Sequence, residues 1–205
     1  MTIVLSLVVG IGAAIATILL LQLWPVRYSW SHDISRTVGH PSGRALYRVK
    51  LHRPRRLLFT NRRNPIDASF GARVAVSGVG RFQNYEKIVE IPVHPEWLPS
   101  LGDRVHIWLM PERCDVRDLR EFPEEIKEAC RRHELTLDAL LGAGTAAVLR
   151  VYVFAYRPYM GTRWYVRRKY VAADVKPGYF APDRGTVDTS TAEGGVPPVS
   201  DDPEP

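Results

Sequence analysis

From Leu46 the chain alternates, with Tyr47, Val49 and Leu51 separated by Arg48, Lys50 and His52. A period of two places the apolar set on one face of a strand and the cationic set on the other. The same reading predicts strands over 73–79, 87–93 and 104–110, with Val105, Ile107 and Leu109 sharing a face in the last. Pro92, Pro95 and Pro99 bound these pieces, so the strands should be short and their connections irregular. A basic run at 53–56 leads into a short apolar piece at 57–59, and residues 61–65 read as a turn.

The period lengthens to three and four residues only around Pro123. Proline suits a first helical turn, Glu124 and Glu125 sit beside the positive helix end, and Arg131, Arg132 and His133 sit beside the negative one. Phe122, Ile126, Ala129, Cys130, His133 and Leu137 then form a core-facing stripe. Thr136 is placed to cap a second short helix through Leu141, which Gly142 and Gly144 stop. Two long strand-like runs follow, 146–156 and 162–173, and the Pro and Gly between them predict an antiparallel hairpin. Its first run is apolar on both faces, as a central strand would be.

A different pattern opens the chain. The first 26 residues carry no charged side chain, and residues 3–24 are interrupted only by Ser6, Thr17, Gln22 and two glycines. As a helix such a run spans about 33 Å, against a hydrocarbon core of about 30 Å. No Lys or Arg precedes it and bulky Leu21, Leu23 and Trp24 end it, which predicts a retained anchor rather than a cleaved signal peptide. Trp24 and Tyr28 would lie at the headgroup level. Ser6, Gly10 and Ala14 recur every fourth residue, so a homo-oligomer through this helix is one reading and ordinary small-residue usage another.

The expected fold is therefore α+β. An N-terminal transmembrane helix precedes one mostly antiparallel β domain, sandwich or barrel-like, with a helical insertion near 122–141. The expected divisions are an anchor at 1–26, a juxtamembrane linker at 27–44, the β-rich domain at 45–176 and a disordered acidic tail at 177–205.

Charge adds an orientation. The formal net charge is +6, but the tail holds Asp183, Asp188, Glu193, Asp201, Asp202 and Glu204 against Arg184, so the domain itself is more basic than the total. Arg27, Arg36 and Arg44 follow the apolar run closely and no Lys or Arg precedes it, which predicts a cell-membrane protein with its N-terminus outside and its domain cytoplasmic. Two cysteines are too few for a disulfide framework and fit a reducing compartment. Only 5 of the 28 basic residues are lysine, which suits a GC-rich genome, and the size and composition suit a small phage or prophage membrane protein.

The candidate chemistry centres on the hairpin. Pairing Tyr156 with Arg163 also pairs Phe154 with Tyr165, Tyr152 with Arg167 and Arg150 with Lys169, so one face interleaves cations and rings. Leu149, Val151, Val153 and Ala155, with Trp164, Val166, Arg168 and Tyr170, take the other face. Cations neutralise phosphates and rings stack on bases or sit among headgroups, while ordinary cross-strand packing explains the same residues. A slip of one residue would scatter the array over both faces.

Other constellations lead less far. His106, Cys114, Cys130 and His133 lack the second tight ligand pair of a structural zinc site. Gly142, Gly144 and Ala147 match a dinucleotide fingerprint in letters but follow a helix and precede a strand, the reverse of what it needs. Asp115, Asp118, Glu124, Glu125 and Glu128 read as a solvated face beside Lys127 and Arg131. No Walker, nucleophile-elbow or zincin motif occurs, so neither a catalytic residue nor a cofactor is expected. Residues 126–141, reading IKEACRRHELTLDALL, look like the first two helices of a helix-turn-helix, but the β-branched and aromatic stretch that follows suits a strand rather than a recognition helix.

The function expected is that of a single-pass membrane protein whose basic domain is a binding module for a partner protein or the anionic bilayer surface. The hairpin and the 53–63 segment are the candidate surfaces. A membrane-tethered nucleic-acid-binding protein is the alternative, and a membrane-bound enzyme a third reading that requires a pocket of converging polar groups.

Overall fold

The computed structural model describes residues 6, 10–16, 28–38, 43–53, 64–79, 85–157, 161–181 and 185–189. Its strands are β1 (Ser29–Trp30), β2 (Ile34–Val38), β3 (Ala45–His52), β4 (Ile66–Ser77), β5 (Glu86–Ile91), β6 (Val93–His94), β7 (Trp97–Ser100), β8 (Arg104–Leu109), β9 (Ala146–Arg157), β10 (Thr162–Tyr170), β11 (Val175–Pro177), β12 (Tyr179–Phe180) and β13 (Val187–Asp188). In the first sheet β11, β2, β3, β8 and β6 lie in that order, with β1 also on β3. The second runs β10, β9, β4, β5, with β7 also on β4, and β12 pairs with β13. Only the β11–β2 pair is parallel among the described ladders.

The period of two explains where the core lies. Tyr47, Val49, Leu51 and Ile107 of the first sheet join Phe70, Val74, Val89, Leu149, Val151 and Val153 of the second in one buried apolar cluster. Each fully buried aliphatic side chain of this kind contributes about 1.5–3 kcal/mol relative to exposure. Polar atoms tie the layers as well. The Trp30 indole N–H donates to the Val166 carbonyl at 3.4 Å, the Tyr170 hydroxyl donates to the Ser31 carbonyl at 2.8 Å, and the Tyr28 ring meets Trp164 edge-on at 5.2 Å.

The helical insertion lies between β8 and β9. Two 3-10 turns, Pro111–Arg113 and Val116–Leu119, precede helices Glu124–Arg131 and Leu137–Leu141. Leu119, Phe122, Cys130, Leu137 and Leu140 bury themselves in the same core. The Thr136 hydroxyl caps the second helix by accepting from the Ala139 N–H at 3.2 Å. The Tyr47 hydroxyl donates to Asp138 at 2.5 Å, fastening this helix to β3.

Several boundaries move. The linker expected over 27–44 contains β1 and β2, with Tyr28, Trp30 and Ile34 buried. Its apolar alternation is hidden because Ser31 and Ser35 are buried too, their hydroxyls donating to the carbonyls of Asp33 at 2.8 Å and Gly178 at 2.5 Å. The tail expected from Pro177 supplies the last residue of β11 and all of β12 and β13, held by strand pairing that needs little apolar content. Asp67 carries a positive φ of 53° at a bulge, and the strand predicted over 73–79 starts seven residues earlier. His133, assigned to the buried stripe, is exposed with a φ of 57°, because the helix has already ended.

Of the expected span, only Ser6 and residues 10–16 are described, all helical and exposed. No helix among the described residues is long and apolar enough to cross a membrane. The structure therefore lends the transmembrane helix no support. The rest of the 3–24 run, the pieces at 54–63 and most of the tail beyond 189 lie outside the described residues.

Leu149 is fully buried on a strand paired on both sides. Leu149→Ala should lower unfolding free energy by about 2–5 kcal/mol in urea titrations. Lys169→Ala on the exposed neighbouring strand should stay within about 0.5 kcal/mol.

Candidate functional site

The hairpin forms with the register its sequence predicts. Tyr156 faces Arg163, Phe154 faces Tyr165, Tyr152 faces Arg167 and Arg150 faces Lys169. Leu149, Val151, Val153, Ala155, Trp164 and Tyr170 are buried on the opposite face. The structure thus brings all seven residues singled out on the hairpin to one outer surface.

The array is wider than the hairpin. Antiparallel pairing of β9 with β4 sets Phe154 opposite Ser69, Tyr152 opposite Gly71 and Arg150 opposite Arg73. Pairing of β4 with β7 sets Ser69 opposite Trp97. Directly opposed residues point the same way, so Trp97, Phe154 and Tyr165 form one row across the sheet. Trp97, Phe154 and Tyr165 remain 53%, 46% and 46% exposed.

Local geometry holds these rings in place. Phe154 and Tyr165 lie 4.6 Å apart between centroids, and Tyr152 meets Phe154 edge-on at 5.6 Å. Such pairs contribute about 0.5–1.5 kcal/mol beyond area burial. The Tyr152 ring lies over the bare backbone of Gly71, where an added Cβ would come within 2.5 Å of Cζ and the hydroxyl. The Arg73 guanidinium covers the same ring at 5.6 Å. Across the row, the Trp97 indole N–H donates to the Asp67 carboxylate at 2.5 Å, and Asp67 is the bulge residue with positive φ. Asp tolerates that backbone better than most residues.

The cations divide into two groups. Arg73 pairs with Glu90 at 2.8 Å and Arg150 with Glu86 at 2.6 Å, both partly solvated and each worth about 0–1 kcal/mol. Arg163, Arg167 and Lys169 are exposed and make no ion pair with any described residue. An open row of three cations beside five aromatic rings can take up phosphate oxygens and flat or greasy groups together.

Sequence reasoning missed Trp97, Arg73 and Gly71. Arg73 was recoverable, since Arg73, Ala75 and Ser77 alternate with Val74 and Val76. Trp97 was not, because Glu96, Pro95 and Pro99 around it erase any period.

The remaining candidates are dispersed. The Cys130 thiol donates to the Cys114 carbonyl at 3.2 Å, both residues are buried, and burial pushes the Cys114 thiol up to about 12. A His133 ring nitrogen lies 3.1 Å from the Glu112 carbonyl, whereas His106 stacks on Phe180 at 6.1 Å. No cluster of three or more His, Cys, Asp or Glu suited to a metal occurs among the described residues. Glu124 and Glu128 are bridged by Lys127, Arg131 and Arg132 on the helix surface. Arg53 lies 3.9 Å from Asp103, and the other members of the 53–63 surface fall outside the described residues except at 53. Ser6, Gly10 and Ala14 are exposed, and a Cβ on Gly10 would meet nothing within 4 Å.

The outer face of the first sheet carries a second cationic row. Lys50 stands opposite His106 and His52 opposite Arg104. Burial, and then the charges of Lys50 and Arg104, lower the pKa of His52 below its ordinary 6.5. The folded state therefore resists protonating this ring, while the unfolded chain does not. Its contribution to stability is present above 6.5 and is lost as pH falls below that value through the lowered folded one. His52→Gln should flatten the stability profile on the acid side of about pH 6.5, read by urea unfolding at each pH against the parent chain.

Against models of known protein families the chain finds no match. A search of curated proteins likewise finds none, so the geometry stands by itself.

Proposed function

We propose that the chain is a membrane-tethered binding module, not an enzyme, and that the outer face of the second sheet docks on an anionic phospholipid surface. The observation that carries this reading is the placement of Arg163, Arg167 and Lys169, without ion pairs among the described residues, beside the exposed rings of Phe154, Tyr165 and Trp97. Cations meet headgroup phosphates, and amphipathic rings prefer the depth at which those phosphates lie. The uncharged first 26 residues supply the tether in this reading, and the basic residues after them place the module on the cytoplasmic side. Apposition to the bilayer then requires no long-range search, because the tether raises the local concentration of lipid around the face. A partner protein bearing clustered acids would meet the same cations, but the solvent-exposed rings favour the lipid interface.

Each Lys or Arg near an anionic surface contributes about 1 kcal/mol. Arg163→Glu, Arg167→Glu and Lys169→Glu together should therefore weaken partitioning onto phosphatidylserine-containing vesicles by about 3 kcal/mol, on the order of a hundredfold, at low salt. Partitioning onto neutral phosphatidylcholine vesicles should hardly change. Unaltered binding to the anionic vesicles would overturn the reading. So would salt-steep binding of single-stranded DNA or RNA through these three residues with indifference to vesicles, which would assign the face to nucleic acid.

A further inference from the structure

The first sheet turns an equally cationic face outward, and the chain's own C-terminal segment lies across it. Arg48, Lys50 and His52 of β3 share that face with Arg104, His106 and Trp108 of β8 through direct cross-strand pairing. After β11 the chain passes over them as a strap, β12 and β13, residues 178–181 and 185–189. The Arg48 guanidinium lies 4.8 Å from the Trp108 ring on one side and 5.0 Å from the Tyr179 ring on the other. The Lys50 ammonium lies 6.0 Å from the Phe180 ring, on which His106 also stacks. Lys50 is thereby left only 4% exposed.

Two adjacent rings are thus met by two cations and an imidazole, with the Trp108 indole behind Arg48. Cation–π pairs contribute about 0.5–1 kcal/mol at exposed sites and about 2 or more when desolvated. The strap buries little apolar surface of its own. Among its described residues from Lys176 to Thr189 no side chain is fully buried, the buried residue being Gly178. Its ties to the body include Gly178 N–H to the Arg36 carbonyl at 3.0 Å, His32 N–H to the Gly185 carbonyl at 2.6 Å and Val187 N–H to the Asp33 carboxylate at 3.3 Å. Segments with few buried apolar contacts open at a fraction of the global unfolding free energy.

We infer that the outer face of the first sheet is a peptide-docking site, held in cis by the strap, whose trans ligand is a partner segment with two adjacent aromatic residues. The strap shows the chemistry required, two adjacent rings, Tyr179 and Phe180, set against Arg48, Lys50 and His106. Opening it exposes Arg48, Lys50, His106 and Trp108 as a unit, and a competing segment can then make the same ring contacts. The cis occupant lowers the apparent affinity of any competitor by the fraction of time the site stands open.

The test uses the full chain and a fluorescent synthetic peptide of residues 174–189. Tyr179→Ala with Phe180→Ala removes the cis rings and should raise peptide affinity roughly tenfold over the parent chain. Adding Arg48→Gln to that pair should abolish the gain, with circular dichroism and thermal unfolding showing that all three proteins remain folded. Hydrogen exchange in the parent chain should find the Gly178 and Ala181 amides at least about a hundredfold faster than those of β4 and β9. No gain in affinity from the double substitution, a gain that survives Arg48→Gln, or strap amides as protected as the core would each overturn the inference.

Discussion

The register of β9 against both of its neighbours governs the rest of the structure. Leu149, Val151, Val153 and Ala155 enter the core only if Tyr156 faces Arg163 and Leu149 faces both Tyr170 and Val74. A one-residue slip would turn this apolar set outward and drive Arg150, Tyr152 and Phe154 inward. Losing the burial of three aliphatic side chains alone costs about 4–9 kcal/mol, comparable to the whole stability of many domains. The core therefore dictates the outer surface. Cations and rings share that surface because the register that buries the other face leaves them nowhere else to go.

The same logic explains what could be read in advance. The hairpin, its register, the cationic and apolar faces of β3, and the helix after Pro123 all follow from periodicity strong enough to stand without tertiary help. Elements whose stability comes from the surroundings were not legible. The β2 strand is buried through serine hydroxyls that find carbonyl partners, and sequence hydrophobicity cannot register that. The strands β11 to β13 are two or three residues long and exist only because β2 and the outer face of β3 accept them. Trp97 joins the aromatic row because β7 sets it opposite Ser69, a tertiary pairing with no signature in the residues around the tryptophan.

The two sheets thus present matched but differently managed outer faces. On the second, rings stand open beside cations, and Glu86 and Glu90 restrain only Arg150 and Arg73. On the first, the cations are covered by two rings from the chain's own end. An open face of cations and rings suits constant, low-affinity apposition to a surface, whereas a covered one suits a contact made only when a competing segment arrives. The buried cysteines lie apart from both faces, in the core under the helical insertion.

The central claim, that the row crossing β7, β9 and β10 is where the protein meets the bilayer, is open to a direct depth measurement. Burial shields Cys114 and Cys130, so a nitroxide attached through Tyr165→Cys labels the face selectively. On anionic vesicles its collision rate with oxygen should rise and that with a water-soluble nickel chelate should fall, placing the label at headgroup depth. A label at 165 that stays fully water-accessible while one introduced at Arg104 becomes protected would contradict the account.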